Sequence, residues 1–307
     1  MIALEVKNLS KSFGDLKAVD NASFEVPEGS IFGLLGRNGA GKTTTIRMMM
    51  NIYPPDGGEV NFKGISRGPE FNSKVGYLPE ERGLYKKMKV LETLLFFAEI
   101  KGKSGRKTVK KAKEYLERFD LADRMNSKIE DLSKGNQQKV QFIATVLHDP
   151  EILILDELFS GLDPINTNLL KEIILEFKAR GRVILFSTHI MDFAEKMCDH
   201  IAIIDRGQIK LNGSMSEIKK KYSHNNIILN YDGDISFVKD LPFVVKISDY
   251  GQTVGIKISH EKYSQELLKT LMDRNVKIKK FDANDISLEE IFIDLVGDEE
   301  NTEGAHV

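Results

Sequence analysis

Several things are scarce in this chain, and each shortage excludes a class of protein. Cysteine occurs once in 307 residues, at Cys198. A lone thiol excludes an internal disulfide and any multi-cysteine zinc site, and points to a reducing compartment such as the cytoplasm. Long apolar runs are missing. The best candidates, 94–98 and 152–155, are the size of core elements, far below the roughly 18 residues that span a bilayer. The start, Met1 to Asn8, mixes Glu5 and Lys7 into a short alternating run and lacks the unbroken apolar stretch of a signal peptide. Net charge is −2, so there is no basic field of the kind that marks a nucleic-acid partner. Internal repeats are absent. The remainder, 41% hydrophobic and 29% charged, is ordinary globular composition on a length that suits one large domain and a smaller one. Any work at a membrane would be done from its surface, through a partner.

The pattern along the chain predicts an α/β core. Strand-like runs at 3–6, 22–26 and 31–35 open it, the third apolar without alternation, as in a strand buried on both faces. A glycine-rich loop and a helix over 43–51 follow. The turn signal Pro54-Pro55-Asp56-Gly57-Gly58 precedes strands near Val60 and over 75–78. From 83 to 147 the pattern is helical and carries a basic segment, Lys101 to Lys113. Buried-type strands at 152–155 and 183–186 flank a helix near 169–177. After Lys221 the order changes: strands at 227–229, 243–247, 254–258 and 276–281, a short helix near Phe237, helices over 263–274 and 288–295. That order fits a small ferredoxin-like α+β module. The expected division is a core domain over 1–220 with a helical subdomain at about 83–147, an accessory domain over 221–298, and an acidic tail over 299–307.

Two motifs carry chemistry. Gly36-Arg37-Asn38-Gly39-Ala40-Gly41-Lys42-Thr43 matches the phosphate-binding loop pattern, after a strand and before a helix. Its glycines let backbone N–H groups curl around phosphate oxygens, and the helix N-terminus adds a favourable dipole. Lys42 is expected to bridge the β- and γ-phosphates of ATP and the Thr43 hydroxyl to ligate Mg²⁺, with Thr44 completing the nucleotide-binding set. The second motif, Ile152-Leu153-Ile154-Leu155-Asp156-Glu157, is a buried strand ending in carboxylates at the sheet edge where ligands bind in such folds. Asp156 would hold the metal and Glu157 would orient and polarise the attacking water.

With these in place, residues 1–215 resemble the ATP-binding subunits of ABC transporters. Leu132-Ser133-Lys134-Gly135-Asn136-Gln137-Gln138 is similar to the family's signature motif, Ser160-Gly161-Leu162-Asp163 to its D-loop, and His189 in Ser187-Thr188-His189 to its switch histidine. Phe13 matches the aromatic that stacks on adenine. The resemblance implies a P-loop nucleotidase fold with a helical subdomain, and a head-to-tail dimer, homodimeric or with a related ATPase. In that dimer Ser133, Gly135 and Asp163 of one subunit would close the ATP site of the other. It also implies a separate integral membrane permease and a peripheral place on the cytoplasmic face of the membrane. Glu80, in Gly76-Tyr77-Leu78-Pro79-Glu80-Glu81, stands where the family's Q-loop has glutamine. A carboxylate can ligate Mg²⁺ but cannot donate the amide's hydrogen bonds unless protonated. The signature also departs at Lys134 and Asn136, Lys134 either adding charge near the phosphate or projecting into solvent, and Leu158 replaces a usual proline.

In such families the Q-loop borders a groove for the permease's coupling helix, and Leu84, Tyr85 and Met88 are either anchors there or internal packing. The basic run 101–113 faces either anionic lipid or plain solvent. The module after Lys221 resembles the C-terminal extension of export-type subunits linked to sodium, drug or peptide efflux, so export is expected over import. Two other readings remain open at this point: a soluble ABC-type ATPase not coupled to transport, and a non-hydrolysing nucleotide-dependent regulator. Glu157 and His189 speak against the last.

Overall fold

The computed structural model describes residues 1–303 apart from 82, 160–162, 224, 250, 252, 284 and 285, and the backbone alone over 297–303. The chain divides into two compact units: Met1–Ile190 with Met197–Asn212, and Met191–Lys196 with everything from Gly213 onward. That division falls earlier than the expected 220/221 boundary.

In the first unit, β1 (Ile2–Phe13) and β2 (Leu16–Pro27) form a long antiparallel hairpin, and β3 (Ile31–Leu35) leads into α1 (Lys42–Met49). Next come β4 (Gly57–Phe62), β5 (Ile65–Ser66), α2 (Pro69–Lys74) and β6 (Val75–Leu78). The helical stretch holds α3 (Val90–Ile100), α4 (Arg106–Arg118) and α5 (Lys134–Val146). The core resumes with β7 (Ile152–Asp156), α6 (Pro164–Ala179) and β8 (Val183–Thr188). After α7 (Met191–Met197) it closes with β9 (His200–Asp205) and β10 (Gln208–Ser214).

The strands assemble into one antiparallel sheet, ordered β2-β1-β4-β5, and a second sheet ordered β10-β9-β3-β8-β7-β6 whose inner strands run parallel. β3, β7 and β8 are buried at every position, the burial that their unbroken apolar runs require. Alternate residues, among them Phe32, Leu34, Ile152, Ile154 and Leu185, point into a core shared with Leu4, Val6 and Phe24 of the antiparallel sheet and Ile46 of α1. The period-2 alternation sends their neighbours to the opposite, equally covered face. Because β3, β7 and β8 are adjacent and parallel, their C-terminal ends form one edge. The phosphate loop, Asp156-Glu157 and Ser187 to His189 all leave from that edge.

Helix ends follow their caps. Ser133 accepts from Asn136 N–H at the start of α5. Asp163 accepts from the N–H groups of Ile165 and Asn166 and is followed by Pro164, so α6 begins earlier than its apolar periodicity suggests. The basic run does not form one face. Lys103, Arg106, Lys107, Lys110 and Lys113 are exposed, while Lys101 turns inward to donate to the carbonyls of Val75 and Asn72.

The second unit has α8 (Met215–Ser223), then β11 (Asn226–Asp232), a single 3₁₀ turn at Ser236–Asp240, β12 (Val244–Asp249) and β13 (Thr253–Ile258). It ends with α9 (Tyr263–Asp273), β14 (Lys277–Ala283) and α10 (Leu288–Glu303). The sheet order, β12-β13-β11-β14 with antiparallel neighbours, is that of the βαββαβ module, its first helix reduced to the 3₁₀ turn. Leu267 and Leu271 of α9 pack on Ile227, Leu229, Val254 and Ile256. A capping box starts α10: the Ser287 hydroxyl accepts from Glu290 N–H, and the Glu290 carboxylate accepts from Ser287 N–H.

Candidate active site

The loop after β3 owes its path to two close approaches. A Cβ at Gly36 would lie 2.3 Å from the Ile204 carbonyl oxygen, and one at Gly41 would lie 2.7 Å from that of Ala18. Gly39 and Gly41 also take left-handed φ values of 81° and 109°. Ala40 tucks its methyl into the core, which pins the middle of the loop. α1 starts at Lys42 with no side-chain cap and no acid in its first turn, so its free N–H groups and dipole are left to an anion. The Lys42 ammonium curls back over the loop, donating to the carbonyls of Gly36 at 2.8 Å and Arg37 at 3.1 Å.

The carboxylates stand opposite. Asp156 is 1% exposed, and its Oδ1 accepts from the hydroxyls of Ser187 at 2.5 Å and Thr43 at 3.3 Å. Its Oδ2 is buried without a partner. Burial pushes the Asp156 carboxyl up from the usual range, against the two hydroxyl bonds, and the charges of Glu80 and Glu157 push the same way. Glu157 holds a left-handed φ of 51°, costly for a residue with a Cβ. The Ser187 hydroxyl stabilises that turn by accepting the Glu157 N–H at 3.0 Å. One Glu157 oxygen lies 3.2 Å from Lys42 Nζ and the other 3.0 Å from His189 Nδ1.

Of these groups Lys42, Thr43 and Glu157 line an open cavity of about 660 Å³, with Asp156, Ser187 and His189 behind Thr43 and Glu157 in contact with them. Phe13 lies on its wall, 46% exposed, with Asn38, Gly39, Gly41, Thr44 and Glu80 around it. Ser187 is a functional residue that the motif reading missed, since one hydroxyl donates to the Asp156 carboxylate and accepts the Glu157 backbone N–H. Arg206 and Lys17, also on the wall, were missed as well. The Arg206-Gly207 turn, just past a strand on the ligand edge, is the signal that marks Arg206; Lys17, in β2, carries none. Ser133, Gly135 and Asp163 do not line this cavity. Ser133 and Lys134 are exposed, Lys134 toward solvent, and a Cβ at Gly135 would meet open space. Ser160, Gly161 and Leu162 lie outside the described residues.

A buried carboxylate with one oxygen bonded to a threonine hydroxyl and the other without a partner, and with two further acids close enough to repel it, is a donor set suited to a hard divalent cation. Magnesium takes one or two protein carboxylates and leaves its other positions to phosphate and water. Thr43, Asp156 and Glu80 therefore fit the group. Among the described residues, no three His, Cys, Asp or Glu side chains converge into a closed metal cage.

A second, smaller cavity of about 230 Å³ lies by the Glu80 loop, lined by Tyr77, Pro79, Leu84, Phe97, Ala144 and His148 among others. Tyr85 is 52% exposed and packs with Phe96 and Phe97, at centroid distances of 5.4 Å and 6.1 Å. Leu84 and Met88 are half-buried.

Fold and site together define a P-loop nucleotide hydrolase. Residues 19–160 match the family model described as ABC transporter, and residues 213–296 match that of the ATP-binding protein DrrA1-3-like C-terminal domain. An uncharacterized ABC transporter ATP-binding protein of Bacillus subtilis (strain 168), YhaQ, is 44% identical over 96% of this chain and 98% of its own. The linearmycin resistance ATP-binding protein LnrL of the same organism is 31% identical over 96% and 98%. A solved ATP-binding subunit of an ABC transporter superposes with a TM-score of 0.68 at 34% identity, over 72% of this chain and 93% of that one. The chain belongs to the ABC transporter ATP-binding proteins: it is a nucleotide-binding ATPase subunit that works with a membrane partner. Among the described residues no helix is long and apolar enough to cross a membrane.

Proposed function

We propose that the chain hydrolyses ATP as a head-to-tail pair and powers an export permease. The observation that carries the chemical part is the Glu157 carboxylate, which is shared between Lys42 and His189 and follows the buried Asp156 in the chain. Phe13 offers its face to the adenine, and the loop N–H groups with Lys42 bind the phosphates. Thr43 and Asp156, assisted by Glu80, would hold Mg²⁺, which would supply positive charge against the phosphate oxygens. Glu157 polarises the attacking water and His189 fixes the orientation of that carboxylate. Ser133, Gly135 and Asp163, none of which lines its own chain's cavity, serve the partner subunit's nucleotide, Ser133 and Gly135 through a helix N-terminus that can face a γ-phosphate. The partner is a second copy or a related ATPase.

The apolar cavity beside Tyr77 and Leu84, with the exposed Tyr85, receives a permease helix from the cytoplasmic side, aromatics being favoured contact residues. Export of a drug-like compound is supported by the name of the linearmycin resistance relative. Glu157→Gln keeps the shape of the site but removes the base. It should lower turnover at least about 100-fold, the scale of a positioned general base, while ATP shifts the variant to a dimer in size-exclusion chromatography. Hydrolysis at the parent rate would show that Glu157 is not the base.

A further inference from the structure

α5 carries three glutamines, Gln137, Gln138 and Gln141, that all donate to carbonyls of loops rather than to solvent. Gln137 holds Ile129 and Leu132 before the helix, and Gln138 holds Leu158 just after Glu157 at 2.8 Å. The third is the most buried. Gln141 is 6% exposed, and its amide nitrogen donates to the carbonyl of Glu81 at 3.1 Å and that of Pro79 at 3.4 Å. Those two carbonyls flank Glu80. The side chain between them is exposed and lines the nucleotide cavity.

The helix that bears Gln141 is itself fixed against β6, the strand that leads into this loop. A Cβ on Gly76 would lie 2.5 Å from the Thr145 carbonyl, so α5 and β6 approach as closely as glycine permits. Gln141 also lines the smaller cavity beside Tyr77 and Leu84. One side chain thus borders one cavity and grips the backbone on both sides of a residue that borders the other.

We propose that Gln141 is a positioning residue for Glu80, a two-carbonyl clamp that sets where this carboxylate stands in the nucleotide site. In a chain with glutamate at this place the clamp has a particular task. A carboxylate near Asp156 and Glu157 is repelled by both, and a free loop would let it swing toward solvent. Held at both flanking carbonyls, Glu80 stays where a metal-bound nucleotide can use it. The inference rests on the reading of Glu80 as a group on the metal side of the site.

The test uses full-length protein and the anisotropy of a fluorescently labelled ATP, titrated with Mg²⁺ and, separately, bound in EDTA. Gln141→Met keeps the volume and loses the donor. Gln141→Asn keeps the amide one methylene short of the loop and serves if the first variant folds poorly. Either should raise the Mg²⁺ concentration for half-maximal binding about threefold to tenfold, the worth of one or two hydrogen bonds. Binding in EDTA should not change, and in a Glu80→Ala background the same substitution should add nothing. A full additive shift in that background, or an unchanged titration when Glu80→Ala alone shifts it, overturns the clamp. If Glu80→Ala itself leaves the Mg²⁺ titration unmoved, the metal-side reading of Glu80 fails, and the clamp fails with it.

Discussion

At single residues, the neighbours decide which conservative changes are tolerated. Gly39 and Gly36 look alike in the loop motif, yet only Gly36 faces a carbonyl that a methyl would strike. Gly39→Ala should cost about 1–2 kcal/mol of left-handed strain and keep measurable ATP binding, whereas Gly36→Ala should abolish binding; isothermal titration with ATP separates the two. His148 gives a second prediction. Burial drops its imidazole pKa from near 6.5 to about 4, and its Nε2–H donates to the Val75 carbonyl at 3.3 Å. Between those values the unfolded chain binds the proton and the folded chain does not, so stability is intact above pH 6.5 and falls as the pH drops toward 4. The loss should approach about 3 kcal/mol. Denaturant midpoints at pH 7, 5.5 and 4 should show it, and His148→Gln, whose amide can keep the Val75 bond, should flatten that limb.

At the scale of elements, α5 is the beam of the site. Its N-terminus is open where the partner's phosphate would sit, and its glutamines hold the loops carrying Leu158 and Glu80. Ser133→Ala removes one cap bond of 3.3 Å, so it should cost no more than about 1 kcal/mol of stability. ATPase activity should fall much further, at least tenfold, if, as proposed, the same hydroxyl serves the opposite subunit's nucleotide. Gly135→Asp should fold normally, since its Cβ meets open space, and still suppress turnover by placing an acid against a phosphate. Parallel thermal melts and ATPase assays check both; a loss of activity that merely tracked stability would assign this helix end a structural role.

At the scale of the whole molecule, three residues of the expected site, Ser133, Gly135 and Asp163, do not line the chain's own nucleotide cavity. A cysteine pair, Asn38→Cys with Lys134→Cys in a Glu157→Gln background, should form covalent dimers under oxidation only when ATP is added. The single native thiol, Cys198, is buried, and burial raises its pKa well above the usual thiol range, so the background is clean. Cross-linking regardless of nucleotide, or none at all, would rule out the head-to-tail arrangement.

The sequence by itself determined the nucleotide chemistry and most of the elements. A glycine-rich turn between a buried strand and a helix has few other uses, and apolar runs of 152–155 or 183–186 can only be buried strands. The βαββαβ order after Lys221 was legible for the same reason. Geometry between distant segments was not. That Ser187 orders both Asp156 and Glu157, that Arg206 joins the cavity wall, and that Lys101 leaves its basic run for Val75 all depend on strand order and helix rotation, which no local period encodes. The clamp at Gln141 is of this kind. In sequence it is one amide in a helix some sixty residues beyond Glu80, and only the close approach of α5 to β6 gives its hydrogen bonds a destination.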